Sequence, residues 1–213
     1  MAIIHHTTLK PTKLELLTDW LPTRPWYVGD GTPELTKSGG FRLDDPAGEV
    51  GIEFMVVTDG DGVAYLVPLT YRGAPLPGAE DALVGTMEHG VLGKRWAYDG
   101  CHDPVLVAEL FALVEGRAQA QAQSVDNTPD HEITRSCAYD GPGGLRAHGP
   151  AVDDEAGTLL PAAPDGTTLY LHRRPALPDT PPPGAAGHLA GHWTTPDGTR
   201  TRALFADLRT PTG

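Results

Sequence analysis

Cysteine is almost absent from this 213-residue chain, which has only Cys101 and Cys137. Two thiols cannot build the disulfide framework of a small secreted domain, so a reducing compartment is expected. Lysine is nearly as scarce: four stand against twelve arginines, and none follows Lys94. Acidic residues outnumber basic ones by 28 to 16, for a net charge of −12. With no Lys/Arg stripe to offset it, that surface repels nucleic acid and anionic lipid. No apolar run approaches the roughly 20 residues that a spanning helix needs. The opening MAIIHHTTLK has no basic stretch ahead of an apolar run, so it does not read as a signal peptide. Together these absences predict a cytoplasmic protein with neither a nucleic-acid nor a membrane partner.

What the chain has in plenty is turn chemistry, with 26 glycines and 21 prolines. Twelve of those prolines lie from Pro129 onward, so the two halves differ in character. Residues 1–116 read as one domain, 117–130 as a polar linker (RAQAQAQSVDNTPD), and 131–213 as a Pro-rich β region.

In the first domain, Ala2 to Leu9 reads as a strand. Thr12-Lys13-Leu14-Glu15 has the spacing of a capping box, in which the threonine and glutamate side chains each satisfy the other's backbone N–H. Leu14, Leu17 and Leu21 share a helical face, and Pro22 ends the helix. Arg24 to Gly40 reads as a loop. Val50, Ile52, Phe54 and Val56, then Val63, Tyr65, Val67 and Leu69, alternate on either side of Asp59-Gly60-Asp61-Gly62. That is a β-hairpin and its turn. Pro68 cannot donate to a ladder, so its strand is an edge or bulged there. Strands are predicted over Leu83–His89 and Val91–Tyr98. Asp103-Pro104 opens a second helix, which Gly116 closes. Further on, short strands are predicted at Gly144–His148, Thr167–His172 and Ala203–Leu208. A turn at Thr195–Gly198 follows a strand at Gly191–Thr194.

The constellations that could carry chemistry are each better explained locally. Asp59-Gly60-Asp61-Gly62 lacks the later ligands of a calcium loop and is explained by the hairpin turn. His188 and His192 have the spacing of a helical metal pair, but glycines at 187 and 191 oppose a helix. Cys101, His102 and Cys137 lack the usual zinc spacing. Asp44, Asp45 and Glu49 sit in a Pro/Gly turn, where aspartate bonds its own backbone. No nucleophile elbow is present. The reading therefore assigns no catalytic, cofactor or metal residue. It nominates Trp26, Tyr27, Arg72 and Trp96 as contacts for a protein or sugar partner. Aromatic faces stack on sugars or anchor interfaces, and Trp26-Tyr27 stands in a loop between Pro25 and Gly29.

Four stretches carry a resemblance to a known family: HHTTLKPTKLELLTDWLP (His5–Pro22), VPLTYRGAPL (Val67–Leu76), HGVLGKRWAYDG (His89–Gly100) and HDPV (His102–Val105). In order and spacing they resemble the N-terminal cap domain of bacterial maltokinases. The resemblance implies an α+β fold of cystatin-like topology, a helix packed on a curved antiparallel sheet, here followed by a Pro/Gly-rich β extension. It further implies a non-catalytic interaction or regulatory module around α-glucan, maltose or trehalose metabolism. Trehalose synthase or another α-glucan enzyme would be its partner, and maltooligosaccharide a second ligand class.

The alternative is a degenerate or accessory kinase fragment that binds nucleotide or sugar, with ATP as its cofactor. Residues Thr167–Arg174 faintly resemble a kinase N-lobe strand, with Tyr170 where the ATP-binding lysine would be. A phenol cannot supply that ammonium, and no Gly-rich loop, catalytic-loop Asp or Asp-Phe-Gly is found. A third class is a sugar-binding protein or small hydrolase. The blocking loop of cystatins proper is missing, so protease inhibition is not expected.

Overall fold

The computed structural model describes residues 9–123 and 128–211. The predicted strand at Ala2–Leu9 therefore lies mostly outside the described residues; Leu9–Lys10 form β1. The capping box closes as expected: Glu15 N–H donates to the Thr12 hydroxyl and Thr12 N–H donates to the Glu15 carboxylate. It starts α1 (Lys13–Trp20), which runs into a 3₁₀ turn at Leu21–Thr23 that contains Pro22.

Next come β2 (Thr36–Leu43), β3 (Gly51–Thr58) and β4 (Ala64–Arg72). These are followed by β5 (Leu83–His89), β6 (Gly93–Asp99) and α2 (Pro104–Glu115). The first half of β2 falls in the predicted loop, because TKSGGFRL has two glycines and no apolar alternation to betray a strand. The β3–β4 hairpin forms as read. Asp59 closes its turn by accepting from the N–H groups of Asp61 (3.1 Å) and Val63 (2.9 Å). Asp103 caps α2 by accepting from Val105 N–H, and Gly116 ends it in the left-handed region.

The rest of the chain adds β7 (Gln121–Ala122), β8 (Thr134–Cys137), β9 (Val152–Asp153) and β10 (Gly157–Pro161). It ends with β11 (Thr168–Ala176), β12 (Gly187–Thr194) and β13 (Arg200–Arg209). The hairpin between β12 and β13 turns at Thr195–Gly198, as predicted. The strand expected at Gly144–His148 does not form. Residues 144–148 run as irregular chain beside β10, where Arg146 and His148 N–H donate to the carbonyls of Ala162 and Pro161.

Among the described residues these strands make one thirteen-stranded antiparallel sheet in the order β1-β5-β6-β4-β3-β2-β12-β13-β11-β10-β9, with β7 on β2 and β8 on β12. The fold is α+β: two helices against a curved antiparallel surface. β2 and β12 meet at one register pair, Gly39 with Trp193. A Cβ on Gly39 would lie 3.0 Å from the Trp193 Cβ, so a side chain there would force β12 away from β2. β4 pairs with β3 along its length but with β6 only from Leu69 onward. Pro68 thus stands in the half of β4 that is an edge on that side, as its missing N–H requires.

Both faces of β3 and β4 are buried, and their alternation sorts the core. Met55, Val57, Tyr65, Val67 and Leu69 pack with Leu17, Trp20 and Leu21 of α1 and its turn. Phe41, Ile52, Phe54, Val56 and Leu66 face the opposite way, onto Leu106, Leu110, Phe111 and Val114 of α2. The same cluster takes in Leu169, Leu171, Leu189, Phe205 and Leu208. α2 is therefore covered both by the strands before it and by those after it. This explains why its apolar residues run nearly all round the helix.

Candidate interaction surface

The four nominated contacts divide into two groups. Trp26 is not an exposed contact: it is 0 % exposed. The loop it opens folds back over α1, setting the ring 5.7 Å from Trp20, 6.2 Å from Tyr65 and 4.9 Å beneath the Arg173 guanidinium. A large indole beside an apolar helix face is more stable filling that space than facing water. Tyr27 is half-buried on Tyr65, at 5.5 Å between rings. Arg72 and Trp96 are brought together as cross-strand partners of β4 and β6. Arg72 is committed to a bidentate pair with Asp103 (2.6 and 2.7 Å), fixing the N-terminus of α2 to the sheet. Trp96 is half-buried against Ala79, Ala82 and Tyr98, with the Lys94 ammonium 5.0 Å above its ring.

Exposed apolar residues stand at both ends of the β5–β6 hairpin, separated from Trp96 at the tip end by the Glu88–Lys94 pair. Val91 is 62 % exposed and Leu92 45 %, both at its tip, and Leu83 is exposed at the other end of β5. His89 shapes the tip, its Nδ1 accepting from the N–H groups of Val91 and Leu92. The sequence held a signal for this. Gly90-Val91-Leu92-Gly93 places two large apolar residues where a hairpin turn normally carries polar ones.

Several of the carboxylates and histidines weighed in the sequence make internal bonds. Asp45 accepts from the N–H groups of Ala47, Glu49 and Val50, each at 2.9 Å. Burial would raise its pKa, but those three bonds and Arg72 outweigh it and hold the carboxyl below its ordinary value. Glu53 is buried under Lys13, Tyr71 (2.7 Å) and Gln123 (2.6 Å). His188 and His192 lie on a strand, where four residues span about 13 Å. His188 bonds Ser136 at 2.7 Å.

Among the described residues one group could converge on a metal: Asp99, His102 and Asp153, with ligand atoms within 4.8 Å of one another. Cys101 and Cys137 do not join it. The group already holds a cation. Arg173, fully buried, donates to both oxygens of Asp99 (2.8 and 2.6 Å) and lies 3.8 Å from Asp153. Tyr170 donates to Asp154 at 2.7 Å, and the Arg209 guanidinium covers its ring at 4.0 Å.

No helix among the described residues is long and apolar enough to cross a membrane. A search of curated proteins returns no match. Residues 20–103 match the family model described as the maltokinase N-terminal cap domain. The match begins at Trp20 in α1 and ends at Asp103, the cap of α2, so it spans β2 to β6 and the exposed hairpin. Over these residues, less than half of the chain, it is similar to the maltokinase N-terminal cap domain.

Proposed function

We propose that the chain is a non-catalytic interaction module of maltose, α-glucan or trehalose metabolism, docking on an enzyme of that pathway through the β5–β6 hairpin. The observation that carries this reading is the exposed apolar tip, Val91 and Leu92, inside the family-matched segment, with half-buried Trp96 further along the same hairpin. A water-facing Val-Leu pair at a hairpin tip has the character of an interface anchor, because burying it in a partner recovers the apolar area that the chain alone leaves wet. The environment of Tyr170 supports the same reading. Its hydroxyl is engaged by Asp154 and its ring lies under Arg209, so the position where a nucleotide-binding lysine would stand is closed by internal contacts.

The test is an affinity capture from the host's own extract with wild type and a Val91→Asp/Leu92→Asp variant, identified by mass spectrometry. Enrichment of a trehalose- or glucan-handling enzyme is expected, lost in the variant while its far-UV spectrum and melting temperature are retained. Equal capture by both proteins would remove the hairpin from the reading. Absence of any such enzyme would sink the docking role.

A further inference from the structure

We draw no further inference here: the strongest candidate, the side-chain cluster of Asp99 at the end of β6, His102 beside it and Asp153 in β9, carries nothing because the fully buried Arg173 guanidinium already supplies its cation.

Discussion

Replacing Arg173 with Met should destabilise the protein more than almost any other single change outside the apolar core. The guanidinium is 0 % exposed and reaches three groups from other parts of the chain. It donates to both oxygens of Asp99, 74 residues away, and to the Thr158 hydroxyl at 2.6 Å, and its face lies on Trp26. Methionine keeps much of the volume and removes the charge. Asp99, 1 % exposed at its side chain, would then be buried with the Cys101 N–H at 3.1 Å but without its counter-ion. Breaking one side of a buried ion pair costs about 3–5 kcal/mol, because the survivor remains desolvated. With a urea m-value of about 2–3 kcal/mol/M, the midpoint should fall by about 1–2 M. Asp99→Asn, which keeps a cap for Cys101 N–H, should cost a comparable amount by stranding the arginine. The double variant should fall short of the sum of the two, since the second change removes a charge already unpaired. Urea unfolding of the four proteins, followed by tryptophan fluorescence, measures this cycle. Midpoints within about 0.3 M of wild type for both single variants would refute the claim that this pair ties the strands before α2 to those after it.

Two further outcomes follow from the same kind of accounting. Burial opposes ionisation of Asp207, but hydrogen bonds from His172 (2.7 Å) and Arg209 (2.6 Å) outweigh it and hold its carboxyl below the ordinary value. A depressed folded pKa contributes stability above the unfolded value, and that stability is lost as pH falls through the folded one. The urea midpoint should therefore be level above about pH 5 and decline below it, and Asp207→Asn should flatten the decline; an unchanged acid limb in the variant would count against this assignment. The two thiols should react very differently. Cys101 is 2 % exposed and burial pushes its thiol well up, whereas Cys137 is half-exposed on β8. A native-state thiol titration with peptide mapping should find Cys137 modified first; equal rates would mean the Cys101 site opens.

Much of the first half was legible in the sequence because its decisive interactions are local. The Thr12–Glu15 box, the Asp59 turn and the Asp103-Pro104 helix start each close within a few residues. Side-chain type and spacing therefore dictate them whatever the rest of the chain does. The alternation of β3 and β4 likewise announced two strands, and the Val67–Leu76 and His89–Gly100 stretches announced the family. The hairpin tip was also readable, in two apolar residues between glycines, but it calls attention to itself only when turn chemistry is weighed against hydropathy.

Other features belonged to the tertiary structure alone. Whether Trp26 faces water or core depends on Trp20, Tyr65 and Arg173, none of which is adjacent to it in sequence. β2 is a strand because β3, β7 and β12 pair with it, which overrides the weak strand propensity of its glycines. The second half offers short, proline-broken segments whose strand character comes from partners across the sheet, and the Gly144–His148 segment shows the converse. Length, charge, caps and turns were thus set by the sequence itself, because each acts through neighbours in the chain. Burial, the meeting of β2 and β12 at Gly39 and Trp193, and the Arg173–Asp99 pair were decided only by the fold, because each needs groups that the chain brings together from tens of residues apart.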